Sequence, residues 1–250
     1  MGGGVKKTTW SRGAPIRWAE AVAPIANRSK VVYINPLAPS DSLGGHDYVY
    51  NTFPMTAEEM RTAAQALYDQ GVRRLGIFFA QDIDGGNATN VLAGRFQELG
   101  GQVVERQSVE ATAADFASQV AKLQAARPEA IYGFAAYHVY ATVAKQLREA
   151  GVTVPLWSYR GFCEPSIFKI AGQSIEGARY TTPAVSLTGT PQAAAAEKAY
   201  RASHGGQAPG TFFTSMYDAT WITLAAIDEL VGKTGKAPSG AEVKALFDSF

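Results

Sequence analysis

Two carboxylates stand two residues apart, just before a pair of glycines, in Asp82-Ile83-Asp84-Gly85-Gly86. Two acids separated by one residue can open a calcium loop of the EF-hand type, where alternate side-chain oxygens reach one ion. Such a loop closes with a bidentate acid eleven residues after its first. Ala93 occupies that position, so a polar turn at the C-terminal end of a strand is the stronger reading. Gly232-Lys233-Thr234-Gly235-Lys236 ends like a phosphate-binding loop, but that motif requires a glycine where Ile227 stands. It also closes a helical pattern, whereas a phosphate loop must open one so that its N–H groups face the anion. A helix C-cap suits it better. Cys163 is the only cysteine, and His46, His138 and His204 are scattered with no two at metal spacing. No Gly-x-Ser-x-Gly elbow is present. A hydrolase using Cys163 or Asp84 is therefore the weakest reading, since neither has a visible base. The residues specify no catalytic group, no metal and no cofactor.

One charge stands out. In Trp157-Ser158-Tyr159-Arg160-Gly161-Phe162-Cys163-Glu164-Pro165 a permanent cation sits among aromatic residues, in a loop between a strand and a helix. Arg160 is either a solvated loop charge or a holder of something anionic, since its planar fork matches a carboxylate. Trp10, Tyr137, Trp157, Tyr159, Phe162, Phe212 and Phe213 also fall at expected loops or strand ends. As a group they suit a concave apolar site with few polar residues.

The elements that must position these residues can be read from periodicity. Apolar residues recur at helical spacing in 57–70, 88–99, 115–126 and 138–150. Between them lie short apolar runs at 75–79, 102–104, 130–134, 155–157 and 178–182, and Gly71, Gly100-Gly101 and Gly151 stop the helices. Strand and helix in alternation with short connections predict a parallel sheet covered on both faces. Residues 54–183 thus read as one complete α/β lobe. The flanks, 1–53 and 184–250, hold a strand at 31–34 and helices at 15–26, 192–203, 215–231 and 241–250. Being poor in strands, they cannot close a sheet unaided.

With 250 residues the chain has ample material for a core. Lys plus Arg at 23 against Asp plus Glu at 22 leaves +1, which gives no electrostatic reason to expect nucleic acid or an anionic membrane as partner. No apolar run approaches the ~20 residues that span a bilayer. Residues 1–7 are not a secretory signal, because no apolar stretch follows the lysines.

Taken in order, the segments VVYINPLAPSDSL (31–43), YVYNTFP (48–54), GVRRLGIFFAQDIDGG (71–86), DFASQVAKLQAARPEAIYGFAAY (115–137), LREAG (147–151), FKIAGQSIEGARYTTP (168–183) and YDATWITLAAI (217–227) resemble the type I periplasmic substrate-binding proteins of branched-chain amino-acid ABC importers. That resemblance implies two Rossmann-like lobes that close at a hinge on a small-molecule ligand, without covalent chemistry. It implies a periplasmic or extracytoplasmic location and a membrane permease as partner of the full-length protein. A ligand-sensing receptor or regulatory domain of the same fold is the alternative. The resemblance also implies a chain truncated at both ends: the first strands would precede Met1 and a closing segment would follow Phe250, leaving the first lobe partial, with an exposed strand edge.

The family grips a substrate carboxylate with two loops of the first lobe. By resemblance these correspond to Trp10-Ser11-Arg12-Gly13, with Ser11 the expected contact, and to Leu37-Ala38-Pro39, where Pro39 replaces a threonine. In the second lobe Asp84 stands where a tyrosine is expected, and Tyr137 retains a family tyrosine. The acid that pairs with a substrate ammonium falls on Arg160, a reversal of charge. The ligand-binding set implied is Trp10, Ser11, Leu37, Ala38, Asp84, Tyr137, Arg160 and Phe162. The ligand is an amino acid or, favoured by Arg160, an aromatic or other organic acid.

Overall fold

The computed structural model describes residues 14–163, 166–182, 190–210 and 212–249. The chain divides into two units: residues 56–184 form one, and the segments before and after it form the other.

The central unit runs α2 (Thr56–Asp69), β3 (Arg74–Ala80), α3 (Ile83–Glu98), β4 (Gln102–Val109), α4 (Ala117–Ala125), β5 (Ala130–Phe134), α5 (Tyr137–Glu149), β6 (Leu156–Ser158), α6 (Ser166–Ala171) and β7 (Arg179–Tyr180). Its five strands are all parallel, in the order β4-β3-β5-β6-β7. The alternation of strands explains the two cores. Leu75, Ile77, Tyr132 and Trp157 face α2 and α3, against Met60, Leu67, Leu92 and Phe96. Phe78, Ile131 and Leu156 face the opposite way, against Val120, Leu123, Val143, Leu147 and Ile167. Strands buried on both faces read as continuous apolar runs rather than alternating ones. Gly133, in β5, is required by this packing: a Cβ there would lie 2.2 Å from Phe78 Cζ and 2.6 Å from Tyr140 Cε2.

Boundaries shift where capping decides them. The pattern predicts a helix from residue 88, yet α3 begins at Ile83, because the side chain of Asp82 accepts the Gly85 N–H at 2.6 Å and caps it. The pair of carboxylates is thus a helix start. β4 extends to Val109, well past the run at 102–104, as an edge strand of mixed polarity. The short α6 has too few residues for a period to show.

The other unit contains α1 (Ala14–Ser29), β1 (Tyr33–Asn35), β2 (Val49–Asn51), α7 (Pro191–Ser203), α8 (Phe213–Thr234) and α9 (Gly240–Phe247). β1 and β2 pair in parallel. Gly235, at φ 68°, ends α8 in the left-handed region, which settles the lysine-rich segment as a C-cap. Ser239 and Glu242 then form a reciprocal capping box that opens α9. α9 docks on β2 through the Tyr50 ring, edge-on to Phe247 at 5.0 Å, and through the Tyr50 hydroxyl, which donates to Asp248 Oδ1 at 2.6 Å. α8 buries only small residues, Ser215, Ala219 and Ala226. Its larger apolar side chains, Met216, Trp221, Leu224, Ile227 and Val231, are exposed.

Candidate functional site

The strand order of the central unit locates its crevice. From β3 the chain first moves outward to β4, then returns to place β5 on the other side of β3. In an open α/β sheet, ligands bind at this reversal, outside the carboxyl ends of the strands. Those ends are Ala80, leading into Asp82 and Asp84, and Phe134, leading into Tyr137. Asp84 is exposed in the first turn of α3, and Tyr137 is half-buried as the first residue of α5. Gly85 permits the tight entry, since a Cβ would lie 2.4 Å from the Ala80 carbonyl oxygen. The structure therefore puts Asp84 and Tyr137 on neighbouring strand ends.

Next along the sheet, the loop after β6 is built from aromatic packing. Tyr159 stacks on Phe134, with ring centroids 4.1 Å apart. Gly161 accommodates that ring, because a Cβ would lie 2.6 Å from Tyr159 Cζ. Phe162, expected against a ligand, is instead a core ring, 4% exposed. It stacks on Tyr180 and meets Tyr140 edge-on, at 5.4 and 5.2 Å. The strand-to-helix turn directs it inward, and the sequence pattern does not distinguish the two directions.

Arg160 has an internal partner. Its guanidinium forms an ion pair with Glu59, the two side chains being 9% and 5% exposed. Glu59 Oε1 also accepts the Arg160 main-chain N–H at 2.9 Å and the Thr181 hydroxyl at 3.1 Å. Arg160 Nη2 donates to Thr56 Oγ1 at 3.4 Å. Burying either charge alone would be costly, so the two compensate each other. Arg160 is thus neither a solvated loop charge nor an isolated cation. Glu59 carried a signal in the sequence: it lies in phase with Ala63 and Leu67, an acid on the apolar face of α2.

The loop of the other unit, Leu37-Ala38, is organised by Asn35, which is 1% exposed. Asn35 Oδ1 accepts the N–H groups of Ala38 at 2.9 Å and Leu37 at 3.4 Å. Its Nδ2 donates to the Ala38 carbonyl at 2.6 Å and to Asn51 Oδ1 at 2.8 Å. Ala38, expected to face a ligand, is 2% exposed and its N–H is already donated to Asn35. Leu37 is half-buried. Trp10 and Ser11 lie outside the described residues. Among the described residues, no cluster of His, Cys, Asp or Glu could hold a metal ion. No described helix is long and apolar enough to cross a membrane.

This doubly wound parallel sheet, with its crevice at the strand reversal, is the half-unit of the type I periplasmic-binding-protein fold. The sequence profile described as "Periplasmic binding protein" matches residues 16–250, and the chain belongs to that family. Solved structures agree. A leucine-binding protein, LivK, from Thermotoga maritima is 23% identical with a TM-score of 0.76; the match covers 91% of this chain and 64% of that one. An ABC-transporter solute-binding protein from Rhodopseudomonas palustris, in complex with benzoate, is 21% identical with a TM-score of 0.74, covering 91% and 62%. The branched-chain amino-acid transporter protein LivJ of Streptococcus pneumoniae, in complex with isoleucine, is 20% identical with a TM-score of 0.73, covering 90% and 63%. The chain thus spans less than two thirds of the length of these structures, and at such identities they establish the fold alone. No curated protein matches the sequence.

Proposed function

We propose that this chain belongs to the solute-binding component of an ABC importer, working outside the cytoplasm and closing by a hinge on a small carboxylate-bearing ligand. Residues 54–183 would form the second lobe, with 1–53 and 184–250 contributing to the first. Leucine, isoleucine, benzoate and 3,4-dihydroxybenzoic acid, named with the structures that share the fold, all carry a carboxylate. The reading is one of binding without covalent chemistry, and a membrane permease would receive the ligand.

The observation that carries the choice among ligands is the Arg160–Glu59 pair. An α-ammonium group needs a carboxylate to meet it, whereas the side chain at this loop is a cation. With Glu59 engaged by the Arg160 guanidinium, the Arg160 N–H and the Thr181 hydroxyl, the described residues at the loop after β6 have no carboxylate left to receive an ammonium. An aromatic or other organic acid without an amine therefore suits the site better than an amino acid. Arg160 would supply charge to the carboxylate, Tyr137 and Trp10 would pack the body, Ser11 and Leu37 would contribute from the first lobe, and Asp84 would accept from a ligand hydroxyl. Isothermal titration against benzoate, 3,4-dihydroxybenzoate, leucine and isoleucine tests the proposal. Benzoates should bind and both amino acids should not. Leucine binding that survives Arg160→Ala, with no heat from either benzoate, would overturn it.

A further inference from the structure

We infer that Glu59 is a positioning residue of the binding loop: one buried carboxylate holds Arg160 at both ends of its side chain and ties it to the stretches where the central unit begins and ends. The inference rests on the carboxylate site proposed above and adds to it a residue on α2. A group that only neutralised Arg160 would need to touch the guanidinium. Glu59 also takes the main-chain N–H of the same arginine, at 2.9 Å, so base and tip are fixed together. The Thr181 hydroxyl donates to the same oxygen at 3.1 Å. Thr56, which accepts from Arg160 Nη2, is the first residue of the central unit, and Thr181 lies close to its last, Ala184. The ends of β6 and β7 and the first turn of α2 thus converge on one carboxylate.

Physical economy argues that this is more than a stabilising contact. Glu59 occupies the apolar phase of α2 beside Met60 and Ala63, where a methionine or leucine would bury without penalty. Replacing a buried ion pair with apolar residues is often neutral or stabilising, so such a pair is weak evidence of a stability role. What an apolar residue could not do is accept from the Arg160 N–H, the guanidinium and the Thr181 hydroxyl at once.

The test is a double-mutant cycle on the 250-residue chain, titrated with benzoate: Glu59→Gln, Arg160→Gln and the two together. Each single change should weaken binding roughly tenfold or more, as loss of a hydrogen bond to a charged group does. The double variant should be no weaker than Arg160→Gln alone. Unchanged affinity in Glu59→Gln, or losses that add, would overturn the inference while leaving the carboxylate site standing. Hydrogen exchange reads the same tie without ligand. In Glu59→Gln, peptides covering 156–163 and 179–182 should exchange faster while 130–134 is unaffected; a uniform rise would make Glu59 a general stabiliser and sink the idea. If the parent chain binds none of the carboxylates, the proposed function fails and exchange alone still decides the role of Glu59. Should Glu59→Gln not fold, Glu59→Met with Arg160→Met leaves no buried charge uncompensated. That variant should keep its urea midpoint yet exchange faster at 156–163 and 179–182, and parental rates there would count against the tie.

Discussion

Asn35 and Asn51 end the two paired strands of their unit at the same register position, and the Asn35 amide donates across to Asn51 Oδ1 at 2.8 Å. The same side chain holds the Leu37-Ala38 turn by its N–H groups and by the Ala38 carbonyl. All four hydrogen-bonding positions of one buried amide are filled. Asn35→Ala should therefore leave the buried Ala38 N–H without its acceptor, at a cost of about 1–3 kcal/mol. Urea denaturation measures this. A shift below about 0.5 kcal/mol would mean that water or a rearranged turn replaces Asn35.

The Glu59–Arg160 pair makes an asymmetric prediction for stability. Arg160→Met strands a carboxylate that is 5% exposed, so it should cost about 3–5 kcal/mol. Adding Glu59→Met should restore most of that loss. A single variant as stable as the parent would show that the pair is solvated in solution.

Gly133 and Gly94 should respond to alanine with opposite signs. At Gly133 the new methyl would overlap Phe78 and Tyr140 in the core, and the overpacking should cost about 1–3 kcal/mol or more. At Gly94, inside α3, a Cβ meets nothing within 4 Å, so alanine should stabilise by about 0.5–1 kcal/mol through helix propensity. Thermal unfolding of the two variants checks both signs.

How much of this was legible in the sequence depends on the length scale of the cause. β5 falls at 130–134 as the apolar run predicts, because a strand buried on both faces leaves a continuous signature. The helix stops at Gly71, Gly100 and Gly151 are visible for a similar reason: each glycine has a positive φ that the next turn requires. The start of α3 was hidden, because an aspartate cap looks like a polar turn until its acceptor geometry is known. The site divides in the same way. Asp84 and Tyr137 are placed by strand order, which periodicity supplies. The partner of Arg160 is 101 residues away in sequence, and the ring of Phe162 turns inward after a short strand. Local pattern holds no information about either.

The docking of α9 on β2 should depend on pH at both extremes. Across it the Tyr50 hydroxyl reaches Asp248 Oδ1 at 2.6 Å and the Lys244 carbonyl at 3.4 Å, and within the α9 segment Asp248 pairs with Lys244. Hydrogen bonds from Lys244 and Tyr50 hold the Asp248 carboxyl below the usual carboxylate range. A depressed acid contributes stability above its unfolded pKa and loses it as pH falls through the folded one, so the contact should weaken below about pH 4. Lys244 is shifted upward by its bond to Asp248. Its contribution is complete below the unfolded lysine pKa of about 10.4 and lost as pH rises through the folded one. The Tyr50 hydroxyl is pushed up by burial first and by Asp248 second, so it remains a donor across the whole interval. Protection of the amides over 240–249, taken relative to their intrinsic exchange at each pH, should be greatest between these limits and fall in acid before that of the central unit does. Asp248→Asn should flatten the acid limb. An acid limb that persists in Asp248→Asn would place the titrating group elsewhere.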